Sequence, residues 1–98
     1  MSGERLDATV HGRVQGVGFR YHIVRAAMDL DLTGWVANDA DGSVRCVAEG
    51  PRPALLGLLG SLEVGPAGAI VDRVTTAWGP ATGEFRAFEV RSRAHRGD

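Results

Sequence analysis

The chain contains no lysine; all eleven of its Lys/Arg-class side chains are arginines. That absence removes lysine Schiff-base chemistry and the lysine of a Walker-type phosphate loop, so an anion held by a cationic side chain must be held by a guanidinium. The bias itself fits base composition, given the abundance of Ala, Gly and Val. An excess of one charge is lacking too: the formal net charge is −1 at pH 7. This offers no general field for nucleic acid or an acidic membrane, so any anion site has to be built locally. The single cysteine, Cys46, cannot close an internal disulfide, and the opening MSGERLDA lacks the basic-then-apolar pattern of a secretory signal. A reducing, cytoplasmic location is the expectation. No long hydrophobic run is present: the leucine-rich stretch from Ala54 to Leu62 is broken by Gly57 and Gly60 and is too short to cross a bilayer. His11, His22 and His95 show no metal-ligand spacing with one another or with Cys46, so neither metal nor cofactor is expected.

What is present suits one small domain. Ninety-eight residues, 44% of them hydrophobic, support one core and not two; the expected domain is 1–98, with its core at about 6–91 and a frayed tail from Ser92. Leu6, Ala8, Val10 and Gly12 alternate with Asp7, Thr9, His11 and Arg13, the period of a strand with one face buried. After Arg20, the positions Ile23, Val24, Ala27 and Leu30 fall on one side of a helix from Tyr21 to Asp31. Thr33 to Asn38 reads as a second strand, Asp41-Gly42 as a hairpin turn, and Val44, Cys46 and Ala48 as a third strand's buried face. Leu55, Leu58, Leu59 and Leu62 mark a second helix, weakened by two glycines and stopped at Gly65-Pro66. Ala69 to Trp78 reads as a strand whose alternation Asp72 disturbs, and Phe88 to Arg91 as a short last strand. The order βαββαβ with an extra strand predicts an α+β, ferredoxin-like sandwich: an antiparallel sheet with both helices on one face. The opposite face is expected to be wet, carrying His11, Arg13, Arg45 and Glu49. Trp35, Trp78, Phe85 and Phe88 read as packing residues, Cys46 as a small inert buried hydrophobe, and His22 as a surface residue.

The chemistry concentrates at one junction. Gly12 to Arg20 (GRVQGVGFR) puts a glycine-spaced turn between the first strand and the first helix. The amides of such a turn point into one concavity, the unpaired amides of the helix start add to them, and Arg20 supplies a forked pair of charge-assisted donors. A phosphate group is the guest this arrangement suits. The run is neither a dinucleotide fingerprint, since Tyr21 stands three positions after Gly18, nor a Walker A loop, since no Lys-Ser/Thr pair follows. The first helix rises by about 16 Å and the second strand returns by about 16 Å. Asn38 is thereby brought back to the level of the glycine turn, at a strand's carboxyl end, where open sheets bind ligands. Phosphoryl transfer to water needs donors for the equatorial oxygens and a fixed in-line nucleophile. Asn38, with an acceptor oxygen and a donor NH₂, can aim a water without deprotonating it. A carboxylate leaving group requires no general acid, so a mixed carboxylic-phosphoric anhydride fits.

At these residues the chain closely resembles the acylphosphatase family. Gly12, Val14, Gln15, Gly16, Val17, Phe19 and Arg20 match its run G-x-V-Q-G-V-x-F-R, and Gly34, Trp35, Val36, Asn38, Asp41, Gly42 and Val44 match G-W-V-x-N-x-x-D-G-x-V. The resemblance runs from about Leu6 to Arg91 and implies metal-independent hydrolysis of acyl phosphates to a carboxylate and orthophosphate in a ferredoxin-like fold. It carries the family's phosphate-binding arginine to Arg20 and its water-positioning asparagine to Asn38, with the loop amides of Gln15, Gly16, Val17, Gly18 and Phe19 completing the cradle. Asp31 departs from the pattern, because relatives commonly have glycine at that helix end. The expected partner is a small acyl phosphate, with no nucleic acid and no membrane, and the expected state is a monomer.

Other readings use the same residues. Taken singly, the glycines serve a tight turn, Arg20 a solvated helix start and Asn38 its own hairpin. The same strand order serves RNA-recognition modules, but Ser43 to Glu49 (SVRCVAE) has none of the aromatics that stack bases there. The nearer rival is a non-catalytic acyl-phosphate or carbamoyl-phosphate binding module, like the acylphosphatase-like domain of hydrogenase-maturation proteins. The absence of zinc-finger cysteines and of further domains in the chain favours an independent hydrolase.

Overall fold

Four segments with one-faced apolar alternation can be satisfied together only by a sheet covered on one side, and a computed structural model, which describes residues 3–92, shows this arrangement. The elements are β1 (Glu4–Arg13), α1 (Phe19–Asp29), β2 (Thr33–Asn38), β3 (Val44–Gly50), α2 (Arg52–Val64), β4 (Ile70–Pro80) and β5 (Phe88–Arg91). The sheet order is β4-β1-β3-β2-β5. β3 lies antiparallel to both β1 and β2, and β4 antiparallel to β1. The extra strand β5 pairs parallel to β2, so the ferredoxin-like four-stranded sheet is widened by a fifth, parallel member. The tail expected to fray lies outside the described residues except for Ser92.

Both helices cover one face. Leu6, Ala8, Val10, Val36, Val44, Cys46 and Ala48 from the sheet meet Phe19, Ile23 and Ala27 of α1 and Leu55, Leu58 and Leu62 of α2, all nearly inaccessible to solvent. Each such large side chain contributes about 1.5–3 kcal/mol on burial. The α2 leucines explain how a helix with two interior glycines forms: its packed stripe compensates for its poor propensity. Cys46 is fully buried, and burial pushes its thiol well above the ordinary value, which keeps it unreactive.

The other face is drier than its polar alternation suggests. Trp35, Ala37 and Val47 form a second buried cluster there, joined by Phe85. Glu49, expected to be solvated, is 5% exposed. The segment after β4 folds over it: Glu49 accepts the Thr82 and Gly83 amides, the Thr82 hydroxyl, and Arg5. Burial raises the Glu49 pKa, but the two amides, the hydroxyl and the arginine outweigh it and hold the carboxyl below its usual range. Asp72 disturbs the alternation because it is skipped: pairing moves from His11 with Arg73 to Gly12 with Val71, a bulge in β4 opposite the end of β1.

The departure at Asp31 has a clear form. The Asp31 amide donates to the Met28 carbonyl at 3.1 Å and the Leu32 amide to the Ala27 carbonyl at 2.9 Å. This pair of bonds is a Schellman termination, whose C′ residue is normally glycine. Asp31 occupies it with φ 57°, the only non-glycine at positive φ among the described residues. Asp31→Gly is therefore expected to raise stability by about 0.5–1 kcal/mol, the relieved left-handed strain less the entropy glycine adds to the unfolded chain. The check is a higher urea midpoint at unchanged slope; a lower midpoint would contradict the assignment of strain.

Candidate active site

The first strand leaves the sheet beyond the β4 bulge and turns through Val14 to Gly18, where Gly16 and Gly18 have φ of 75° and 77°. A Cβ at either would meet nothing within 4 Å. The requirement for glycine is thus conformational, and the space beside both residues is open. Gly18 is the N-cap of α1; no side chain caps the helix and no acidic residue stands in its first turn. The first intrahelical amide to be paired is that of His22, which donates to the Gly18 carbonyl at 3.1 Å. The amides of Phe19, Arg20 and Tyr21 precede it and have no intrahelical acceptor. The Phe19 ring, 2% exposed, is sunk in the core. It pins the helix start by its side chain while leaving its backbone amide for a ligand.

Strand register brings Asn38 to the same end. Val44 of β3 pairs with Val10 of β1 on one side and with Asn38 of β2 on the other. Asn38, the last residue of β2, is therefore level with Val10, shortly before β1 ends at Arg13, and lies two interstrand spacings, about 10 Å, from it. Asn38 is half-buried and lines a cleft of ≈ 290 Å³ with Gln15, Asp39, Ala40 and Ser92. Gly18 lines a separate groove along α1, with Tyr21, His22 and Arg25, while Gly16, Val17, Phe19 and Arg20 line neither.

Three long-range bonds tie these segments. Arg20 Nη1 donates to the Arg91 carbonyl of β5 at 2.9 Å, and Arg91 is the register partner of Ala37, next to Asn38. One of the five guanidinium donors is thus anchored, and four remain for an anion. Gln15 Nε2 donates to the carbonyls of Asp39 and Ser43, in the hairpin that follows Asn38. The hairpin is stiffened by Asp41, which accepts the Ser43 hydroxyl and amide; these two bonds hold its carboxyl below the usual carboxylate range. Sequence reasoning did not find the Arg91 carbonyl, because a backbone acceptor leaves no mark in residue type. A signal for its neighbourhood existed in Trp35, over which the Arg91 and Arg45 guanidinium groups lie at 4.9 Å and 5.6 Å from the ring centroid. Arg45 in turn forms a two-pronged pair with Asp7, at 3.0 Å and 2.6 Å, so its charge is already engaged. Among the described residues no three His, Cys, Asp or Glu side chains converge as a metal-binding group.

The fold and this junction define a ferredoxin-like domain with an uncapped helix start behind a glycine turn. Comparisons with known proteins give the class a name. The sequence model of the acylphosphatase family matches residues 6–90. An acylphosphatase of Salinibacter ruber is 49% identical over 88 residues, covering 90% of this chain and 93% of the relative. Another, of Syntrophotalea carbinolica, is 46% identical over 87 residues, covering 89% and 95%. The crystal structure of the Bacillus subtilis acylphosphatase superimposes with a TM-score of 0.87 at 33% identity, covering 90% of this chain and 98% of that one. The chain belongs to the acylphosphatase family. The same fold occurs as a module of a larger protein: full-length HypF matches with a TM-score of 0.87 at 21% identity, over 99% of this chain and 13% of that one.

Because Gly18 holds a left-handed conformation that an L side chain adopts at a cost of about 1–2 kcal/mol, Gly18→Ala is expected to weaken inorganic phosphate binding by about 5- to 30-fold. Competitive inhibition by phosphate measures this; an unaltered inhibition constant would contradict the turn's part in anion binding.

Proposed function

We propose that the acylphosphatase reaction of this protein, hydrolysis of an acyl phosphate to carboxylate and orthophosphate, proceeds by in-line attack of a water on phosphorus. Arg20 and the backbone amides of Gln15, Gly16, Val17, Gly18 and Phe19 hold the phosphoryl oxygens, and Asn38 aligns the water. The observation that carries this reading is that the glycine loop and the uncapped helix start are tied to the strand end that carries Asn38, Gln15 bonding to Asp39 and Ser43 and Arg20 to Arg91 beside Ala37. Preformed donors of this kind stabilise a loose transition state whose charge spreads over the equatorial oxygens. They require no reorganisation, because the glycine turn and Phe19 hold them in place before the substrate arrives. The Asn38 oxygen accepts a hydrogen bond from the water while the phosphorus takes its electron pair, and the departing carboxylate is stable without protonation. No step calls for a metal or an organic cofactor.

The substrate is a small molecule, and no helix among the described residues is long and apolar enough to cross a membrane. A monomer in the cytoplasm completes the proposal, supported by a lone cysteine that is buried in the core. Nucleic acid is not a partner in this reading, since the face that stacks bases in RNA-recognition modules here carries the Arg45–Asp7 pair and a Trp35 already covered by two arginines.

Arg20→Ala is expected to lower kcat/KM on acetyl phosphate by about 10²- to 10³-fold and to abolish inhibition by inorganic phosphate, whereas Asn38→Ala keeps phosphate inhibition and loses turnover. Steady-state phosphate release from both variants checks the assignment; full activity in either removes that residue from its role. Steady release by the native protein also separates hydrolysis from mere binding. Dialysis against EDTA is expected to leave the rate unchanged, and inhibition reversed by added metal would contradict the metal-free mechanism.

A further inference from the structure

The Gln15 side chain is used in a way that anion binding by the loop does not require. Its Nε2 donates to the Asp39 carbonyl at 2.8 Å and to the Ser43 carbonyl at 2.9 Å, 24 and 28 residues away in sequence. Both hydrogens of the NH₂ group are thereby occupied, and since both partners only accept, the orientation of the carboxamide is fixed. The hairpin closes without them. The Asp39 amide donates to the Ser43 carbonyl at 2.8 Å and the Gly42 amide to the Asp39 carbonyl at 3.2 Å. Asp39 Oδ1 accepts the Ala40 amide at 2.8 Å, and Asp41 Oδ1 accepts the Ser43 amide at 2.9 Å. Each carbonyl that Gln15 reaches therefore already has a donor from within the hairpin. The loop is likewise held without the Gln15 side chain, by its two left-handed glycines and the buried Phe19 ring. What the two extra bonds determine is the placement of one self-sufficient unit against the other, and the residue beside Asp39 is Asn38.

We propose that Gln15 is a positioning residue: its carboxamide braces the hairpin against the phosphate loop and so sets Asn38, and the water it aligns, at the in-line position. This rests on the roles proposed above for the loop and Asn38. Without the brace the loop keeps its grip on the anion and the hairpin keeps its turn, but their separation is no longer defined. A displacement of reacting groups by about 1 Å costs on the order of 10²-fold in rate. A brace that merely stabilised the fold would lower the melting temperature without any specific coupling to Asn38.

The test is a double-mutant cycle on the full chain, with acetyl phosphate as substrate and inorganic phosphate as competitor. Gln15→Leu is expected to lower kcat by about 10- to 10²-fold. The phosphate inhibition constant stays within about 3-fold, and in an Asn38→Ala background the same substitution changes the residual kcat by less than about 3-fold, the ordinary scatter of independent sites. Gln15→Met, similar in length but uncharged and without a donor, is expected to show the same pattern and replaces the leucine variant should that fail to fold. An unchanged kcat, losses that multiply in the double variant, a phosphate affinity that falls as far as kcat, or failure of both variants to fold would each overturn the role of Gln15. An Asn38→Ala enzyme with normal kcat would instead overturn the reading of Asn38 on which it rests.

Discussion

A helix whose first turn has neither a capping side chain nor an acidic residue presents positive partial charge and unpaired amides to whatever lies before it. Both helices of this domain begin so, but in α2 Pro53 lacks one of those amides, whereas α1 keeps all of its own behind a glycine turn. The glycine pair holds the approach in a left-handed conformation that no other residue type adopts readily. Phe19 sinks its ring into the core and fixes the helix axis. Arg20 then adds a cation near the same point, anchored by the last carbonyl of β5. Since the chain has no lysine, the planar fork of arginine is its only strong side-chain donor set for phosphate oxygens.

The sheet topology supplies the second half of the site. In a split βαβ unit the two parallel strands are separated by one antiparallel strand, so their carboxyl ends lie at one edge of the sheet, and Val44 joins them there by pairing with Val10 and Asn38 alike. The anion grip and the water alignment proposed for this site would thus be carried by segments that do not share a strand pair. They are linked instead by side chains: Gln15 from the loop to the hairpin, and Arg20 from the helix to β5. This division lets each segment satisfy its own backbone locally, while only a few long-range bonds define the geometry between them.

Much of this was legible in the residues. Period-two alternation located β1 and β3, the apolar stripe located α1, and Asp41-Gly42 located the hairpin. The cancelling lengths of α1 and β2 point to Asn38 at the carboxyl end of β2, where the register ends. What was not legible has a common physical cause: it depends on backbone groups or on segments folding over from elsewhere. The Arg91 carbonyl that anchors Arg20 is invisible in residue type. Glu49 alternates as a solvated residue and becomes buried only because the segment around Thr82 and Gly83 supplies amides to it. Asp72 breaks the pattern because a bulge skips it, and Asp31 ends a helix in a glycine conformation through backbone bonds that tolerate it.

The central claim is that the loop amides with Arg20, and Asn38, face one tetrahedral anion from two sides. A crystal structure of the protein with bound orthophosphate measures this directly. The account predicts the anion on the amides of the glycine turn and the Arg20 guanidinium, with a water between it and the Asn38 carboxamide, opposite the bond that breaks. An anion bound away from the turn, or Arg20 and Asn38 directed to different sides of the sheet, would contradict it.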